Sequence, residues 1–183
     1  MTQPLPTADE VVTFWEQAGP ERWFRKDEAF DAAFRDRFLG AHEAAARGDL
    51  LAWRGTTSGA LALLVLLDQL PRNAFRGSAR AYATDALARL VATEAVDLGL
   101  DAAVADTGLR NFFYLPFMHS EWLPDQQRGL QLCQRLSAEA ARHARIHHDV
   151  VARFGRFPHR NALLGRRTTP EEQAFLDEGG FAG

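Results

Sequence analysis

The apolar run Leu61–Leu67 limits the possible folds of this chain more than any other feature, because it leaves no polar face on a helix. A helix that is hydrophobic all round has to be buried on every side. Even when counted from Ala60, the run is far too short to cross a bilayer. We therefore predict a central helix in the core of a globular protein, opened by Thr57 or Ser58 and ended by Pro71.

The rest of the chain also shows helical periodicity, interrupted by glycine and proline. Capping-box spacing at Thr7–Glu10 and at Thr169–Glu172 predicts two further helix starts. No window shows the alternation that is typical of a strand, so we predict an all-α fold with antiparallel helices in a single domain over residues 1–183. Longer helices are expected over Asp27–Arg47, Ser78–Val96, from Pro124 into the 130s, and Ser137–Phe154.

Composition is that of an ordinary globular protein, with 46% hydrophobic and 25% charged residues. The net charge of -3 argues against a nucleic-acid partner, since such proteins usually carry a strongly basic domain. Cys133 is the only cysteine, which excludes disulfide frameworks and cysteine-rich zinc sites. The segment Met1–Pro6 has no basic region followed by an apolar run, so we expect a cytoplasmic protein with no signal peptide and no membrane partner.

The densest polar motif is Arg153–Asn161, in which arginines and a histidine surround Gly155 and Pro158. Proline lacks a donor and glycine favours a turn, so these polar side chains are expected at the end of a helix, where binding sites are often built. His147 shares a helical face with Phe154, directly before this turn. The motif predicts site residues at His147, Arg156, His159, Arg160 and Asn161.

A second motif follows the apolar run, where Asp68 precedes Arg72 and Arg76. A carboxylate that is buried in this position has to be hydrogen-bonded or paired, and the two arginines are its nearest partners. Two interpretations stay open at this point. The group either closes a helix end as a structural ion pair or binds a ligand.

The third motif is Leu115–Glu121, where His119 and Glu121 bracket one residue in a turn flanked by proline. A histidine with a nearby carboxylate is the usual pairing for acid–base chemistry, because the carboxylate fixes the tautomer of the imidazole. The alternative interpretation is a cap, in which Ser120 or Glu121 satisfies the start of a helix near Pro124.

These motifs together resemble a known family. The segments Asp68–Asn73, Phe75–Gly77, Leu115–Glu121 and Arg153–Asn161, together with His147, are similar to the bacterial domain-of-unknown-function family 924. Leu164–Arg166 and Thr169–Glu172 fit the same pattern, so the resemblance spans nearly the whole chain. That family is grouped with tetratricopeptide-like (TPR-like) helical folds, which implies such an arrangement here. Because its biochemical function is not established, the resemblance implies no catalytic residues.

Two functions follow as hypotheses. In the first, the motifs line a pocket for a small anionic molecule: arginines hold its carboxylate or phosphate, and a histidine with Glu121 moves a proton, as in an acid–base enzyme. The catalytic candidates are His119, Glu121, His147 and His159, and the ligand-binding candidates are Asp68, Arg72, Arg76, Arg156, Arg160 and Asn161. The alternative is a TPR-like module that binds a peptide or protein in a groove, with Trp15, Trp23, Trp53 or Trp122 as an anchor if exposed.

Weaker hypotheses use the same residues. His119, Glu121, His147 and His159 are chemically suitable metal ligands, but their loose spacing assigns no metal. Alternating arginine and phenylalanine around Arg153–Asn161 is the pattern of an RNA-stacking surface, which the acidic net charge opposes. The sequence identifies no cofactor. The motifs also fit a purely structural ion-pair network.

Overall fold

The structure, a computed structural model, describes residues 4–182. Helices and short turns account for this part of the chain, and no strand occurs within it, so the predicted all-α class is confirmed. None of the helices between residues 4 and 182 has both the length and the apolar character needed to cross a membrane. Residues 1–3 of the segment assessed for a signal peptide lie outside the described residues.

The α-helices are numbered here in chain order. They are α1 (Ala8–Ala18), α2 (Pro20–Trp23), α3 (Glu28–Arg47), α4 (Thr57–Leu64), α5 (Leu70–Ala74), α6 (Asp85–Asp97), α7 (Thr107–Arg110), α8 (Leu115–Met118), α9 (Leu123–Leu136), α10 (Ala138–Phe154) and α11 (Pro170–Asp177). A π-helical turn, Val65–Gln69, joins α4 to α5. Short 3-10 helices lie at Leu51–Gly55, Ala79–Tyr82, Asp101–Ala103, Asn111–Phe113 and Pro158–Arg160.

Residue contacts divide the chain into two compact units. Unit 1 comprises residues 4–76 and 80–116, with α1 to α7, and unit 2 comprises residues 77–79 and 117–182, with α9 to α11. The single domain over residues 1–183 and the TPR-like arrangement stay predictions.

The core of unit 1 forms around the apolar run. Every residue of Leu61–Leu67 is buried, as predicted, and Thr56 caps the helix by accepting a hydrogen bond from the Gly59 N–H. From α3, Phe34 and Phe38 turn inward at helical spacing, and the Phe34 ring lies 5.1 Å from that of Trp15. Burial of large side chains of this kind contributes roughly 1.5–3 kcal/mol each and is the main stabilising term here.

The helix that carries the run does not end at Pro71, and the π turn explains why. Leu70 N–H bonds to Val65 O, five residues back, which deprives Leu66 O of its α-helical donor. The next amide in line is that of Pro71, which has no hydrogen. His42 Nδ1–H, from α3, supplies the missing donor to Leu66 O at 2.9 Å. The helix therefore continues past the proline into α5.

Two other predicted helix ends differ from the structure. The helix expected to begin at Ser78 begins at Asp85, after a 3-10 turn. Pro116, expected to stop the aromatic element, lies inside α8, where a proline at a first-turn position removes no helical hydrogen bond. By contrast, Pro124 lies in the first turn of α9, as predicted.

Unit 2 is organised by α9 and α10, which pack against each other. Ser137 caps α10 and Gly155 ends it in the left-handed conformation, with φ of 69°. Both boundaries were predicted, as was the capping box at the start of α11. Val150, Val151 and Phe157 form a small core, against which Phe154, Phe175 and Phe181 pack.

Candidate functional site

The polar motif of unit 1 forms a closed set of ion pairs around the π turn. Asp68, only 1% exposed, forms an ion pair with Arg72 at 3.0 Å and accepts a hydrogen bond from Gln69 at 2.6 Å. Arg72 also forks onto Asp85, at 2.9 and 3.0 Å. Burial alone would lower the pKa of Arg72, but the two carboxylates outweigh it and raise that pKa. The guanidinium is therefore charged, and it is paired with carboxylates of the protein.

Arg76 is bound in the same way within unit 1. Its guanidinium donates to both oxygens of the buried Asp31 side chain, at 2.7 and 3.3 Å, and Asn73 donates to the same carboxylate at 2.6 Å. This geometry fits the structural ion-pair interpretation of Asp68, Arg72 and Arg76. Their role in ligand binding stays a prediction.

The arginine-rich turn of unit 2 is anchored by Glu172. This carboxylate, 2% exposed, receives both arms of Arg156, at 2.6 and 2.8 Å. It also accepts from Asn161 Nδ2 at 3.2 Å and from the Thr169 N–H at 2.8 Å. Arg156, together with these donors, lowers the pKa of Glu172 to about 2. Two predicted ligand-binding residues, Arg156 and Asn161, thus have an internal partner.

Glu121 ties the His119 turn to the same region. It accepts two hydrogen bonds from Arg166, at 2.6 and 2.9 Å, and one from the Phe157 N–H at 2.8 Å. Burial would raise the pKa of Glu121, but these donors outweigh it and hold that pKa below its usual range. Glu121 is therefore an ionised carboxylate that fixes the backbone of Phe157.

The turn that carries His119 is clamped from α9. The fully buried Gln126 donates from Nε2 to Met118 O and to Ser120 O, both at 2.6 Å. Gly129 allows the helix to approach, because a Cβ there would meet Phe117 Cβ at 3.1 Å. His119 thus projects from a rigid backbone, which is the usual support for a functional side chain.

Three histidines and two phenylalanines gather beside this turn. We call this group the histidine cluster; it consists of His119, His147, Phe157, His159 and Phe181. Ring centres lie 6.0 Å apart for His119 and His147, 4.5 Å for His147 and Phe181, and 5.4 Å for His159 and Phe181. The Phe157 ring lies 5.6 Å from His159 and 5.9 Å from His147. The structure therefore brings together the three histidines that sequence analysis selected as catalytic candidates.

Two of these histidines are neutral at pH 7. Burial, reinforced by His119 and Arg160, lowers the pKa of His147 to about 3. Its Nδ1 donates to His143 O at 2.9 Å, so Nε2 carries the lone pair. Burial, followed by the charge of Arg160, lowers the pKa of His159 to about 4. Both rings are therefore neutral, and each carries one N–H donor and one nitrogen with a lone pair.

His159 also contains an unusual atom. Its ring is hydrogen-bonded to the main chain of Phe181, while Nδ1 is buried and has no hydrogen-bond partner among the described residues. Asn161 Oδ1 and Arg166 Nε, on the same stretch of chain, are buried and unpartnered in the same sense. An unsatisfied buried polar group costs about 1–3 kcal/mol, so a concentration of such atoms in a native protein calls for an explanation.

The described part of the chain contains neither a metal site nor a reactive cysteine. Between residues 4 and 182, no group of three or more His, Cys, Asp or Glu side chains could hold a metal ion. Burial raises the pKa of Cys133 to about 12, so its sulfur is an unreactive thiol. Two surface depressions, both in unit 1 and both lined by Phe14 and Gln17, involve none of the predicted site residues.

Sequence reasoning missed several residues that build this region. Phe181 follows Gly179–Gly180, a pair that signals a tight turn, and this signal could have identified it. Glu172 was recognised only as a helix cap, and nothing local indicates that Gln126 clamps the His119 turn. Of the tryptophans proposed as anchors, Trp15 and Trp23 are buried, whereas Trp122 is 60% exposed.

Comparison with known proteins agrees with the resemblance. Residues 11–180 match the family described as bacterial protein of unknown function (DUF924), and the chain belongs to this family. It is similar to a solved structure, the protein of unknown function ATU0120 from Agrobacterium tumefaciens, with 55% sequence identity and a TM-score of 0.91. The match covers 94% of this chain and 97% of that one. A comparison with curated proteins finds no match.

Proposed function

We propose that unit 2 binds a small anionic molecule at the histidine cluster and that a histidine there exchanges a proton with it. The observation that carries this proposal is the buried Nδ1 of His159, which has no partner among the described residues, in a cluster that holds a second neutral imidazole at His147. Buried polar atoms of this kind, next to aromatic walls, are typical of ligand sites.

The charges around the cluster favour an anion. Arg160 and Arg166 contribute two positive charges and Glu121 one negative charge, while His147 and His159 are neutral. The Arg160 guanidinium carbon lies 4.5 Å from the centre of the Phe157 ring, within the cluster. An anion bound here would lie beside the Arg160 guanidinium and would raise the pKa of both imidazoles.

Acid–base chemistry follows from the same geometry. His147 Nε2 and His159 Nδ1 carry lone pairs, so each is able to take a proton from a bound molecule. Glu121 acts differently from the paired carboxylate expected from the sequence. It holds the Phe157 backbone through its bond to the N–H, and its charge raises the pKa of His159.

The test is a titration of the imidazole NMR signals with inorganic phosphate and with malonate. We expect saturable shifts at His147 and His159 and a rise in both pKa values on binding. His159→Ala should abolish these effects while the circular dichroism spectrum is retained. The control is His148→Ala, a histidine of α10 whose ring pairs with Asp149. Unchanged histidine signals at millimolar concentrations of both anions would refute the proposal.

A second candidate function is the binding of a peptide or protein partner, and exposed Trp122 favours it. Trp122 is followed by the exposed Leu123, and large exposed aromatic residues often serve as anchors of interfaces. Affinity purification with the wild-type protein and with Trp122→Ala would test this candidate. Recovery of the same proteins by both baits would count against it.

A further inference from the structure

The chain after α11 turns back on the histidine cluster. We call residues Gly179–Ala182 the Phe181 segment. Gly179 adopts φ of 79°, and its N–H bonds to Leu176 O at 3.1 Å. Gly180 N–H bonds to Phe175 O at 2.9 Å, and a Cβ on Gly180 would collide with the carbonyl oxygen and the ring of Phe175. The turn thus requires glycine at both positions and aims the next residue at the cluster.

Phe181 gives the cluster two different chemical groups. Its phenyl ring lies 4.5 Å from His147, 5.4 Å from His159 and 6.0 Å from Phe157, measured between ring centres. Its main chain forms a hydrogen bond with His159, one that favours the protonated ring and therefore has the carbonyl oxygen as acceptor. One residue of the protein's own chain thus presents an aromatic ring and an oxygen acceptor to the cluster.

The Phe181 segment lies outside the helices of unit 2. It begins with the glycine turn, and its Phe181 ring is only half-buried. Segments outside regular secondary structure open locally at a lower free energy than global unfolding. Displacing the segment therefore does not require unit 2 to unfold.

We infer that the Phe181 segment occupies the place of the ligand, and that the ligand which displaces it is a small arylalkyl carboxylate, a phenyl ring joined by a short chain to a carboxylate. This inference rests on the proposed function, since it names the ligand class of the same site. The phenyl ring would replace that of Phe181 between His147 and Phe157. The carboxylate would replace the carbonyl oxygen at His159.

The carboxylate gives such a ligand its advantage over the segment. A hydrogen bond to an ionised acceptor is roughly twice as strong as one to a neutral carbonyl, and the positive charge of Arg160 lies beside it. The segment has the opposite advantage of being tethered, which gives it an effective concentration on the order of millimolar. Its presence should therefore reduce the apparent affinity for the ligand to the intrinsic affinity multiplied by the fraction of time the segment is open.

Calorimetry with 3-phenylpropionate as the probe tests the inference in the full chain. Phe181→Ala removes the competing ring, and Gly180→Ala disrupts the turn while keeping the ring. Both should bind the probe about tenfold or more tightly than wild type. Phe24→Ala, which removes an exposed phenylalanine of unit 1, is the matched control and should leave the affinity unchanged. Equal affinity in wild type and both segment variants would overturn the inference, as would weaker binding by Phe181→Ala, since Phe181 would then be part of the pocket wall.

Phosphate separates the two proposals. If phosphate shifts the His159 signals but no variant binds 3-phenylpropionate, the inference fails and the proposed function stands. If neither anion binds any of the proteins, both fail. Should Phe181→Ala lose its folded circular dichroism spectrum, Phe181→Leu keeps the apolar bulk without the ring and should show an intermediate gain; an affinity equal to wild type would then reject the inference.

Discussion

Buried polar groups are arranged in opposite ways in unit 1 and unit 2. In unit 1, Arg72 lies between Asp68 and Asp85, and the charged atoms bond to one another. In unit 2 the arginine-rich turn is also paired, but beside it lie neutral imidazoles, one of them with a buried nitrogen that has no partner in the described chain. All histidines except His42 belong to unit 2.

The difference separates structural polar groups from functional candidates. Both arginine-containing motifs form ion pairs, Arg72 with the neighbouring Asp68 and Arg156 with the distant Glu172. What distinguishes unit 2 is the larger number of buried polar atoms that have no hydrogen-bond partner among residues 4–182, against Trp15 Nε1 in unit 1. Paired charges stabilise helix ends. A buried acceptor without a partner lowers stability, and a role in ligand binding would explain why it is present.

The largest expected effect tests the structural side of the comparison. Asp68→Ala leaves Arg72 with one carboxylate instead of two in a buried setting, and breaking a buried pair costs about 3–5 kcal/mol. Chemical denaturation should show this loss of unfolding free energy. The control is Asp49→Ala, which breaks an exposed pair with Arg47 and should cost less than about 1 kcal/mol. Similar values for the two variants would remove the distinction between structural and surface pairs.

The next effect is a pH dependence that originates in unit 2. The pKa of His147 is about 3 and that of His159 about 4 in the folded protein, against about 6.5 in the unfolded chain. Below pH 6.5 the unfolded chain therefore binds protons that the folded protein does not, so stability is complete above that pH and is lost as the pH falls towards 4 and 3.

Urea unfolding between pH 7 and pH 4 measures how steeply the free energy of unfolding falls with pH. Each histidine should contribute up to roughly 1.4 kcal/mol per pH unit, and less where solvent reaches the ring. The charged and titratable groups facing the two rings are His119, Glu121, Arg160, Arg166 and His143. His159→Gln should reduce the slope and His148→Gln should not. An unchanged slope in His159→Gln would show that His159 titrates normally.

A smaller effect should follow from Glu121→Gln. This change keeps the shape of the side chain but removes the charge that holds Arg166 and raises the pKa of His159. We expect a stability loss of about 1–3 kcal/mol and a further fall in the pKa of His159, read by NMR. A pKa that stays unchanged would mean that Glu121 has no influence on the histidine cluster.

The smallest effect is expected at Arg153, on the exposed side of the arginine-rich turn. Arg153 pairs with the exposed Glu171 and lies 4.7 Å from the Phe154 ring centre. Arg153→Ala should therefore cost at most about 1 kcal/mol in thermal unfolding and leave ligand binding unaffected. Arg156→Ala, by contrast, removes the fork from buried Glu172 and should lower the melting temperature visibly more. Equal losses would mean that burial of Glu172 does not strengthen its pair.

What could be predicted from the sequence was local. The caps at Thr169 and Ser137, the glycine that ends α10 and the burial of Leu61–Leu67 depend on residues a few positions apart, and all were found. The continuation of the helix through Pro71 was missed because its hydrogen-bond donor, His42, comes from α3. The three histidines that the sequence offered as site candidates lie in one cluster, but their burial and partners were not predicted.

That environment depends on contacts between distant parts of the sequence. Glu121 bonds to Arg166, and His119 meets His147, across stretches of chain that no periodicity relates. The neutral state of His159 arises from burial, which single-sequence patterns do not report. Phe181 could have been selected from its two glycines only by knowing where the turn leads.

The π turn has a consequence for how this chain tolerates changes in length. A residue in a helix rotates the following ones by about 100°, so the extra residue that the π turn accommodates sets the direction of everything after it. Deleting one residue within Val65–Gln69 would restore regular helical geometry and remove a local irregularity. It would also swing Arg72 away from Asp85 and Arg76 away from Asp31. The π turn therefore sets the helical register in which Arg72 reaches Asp85 and Arg76 reaches Asp31.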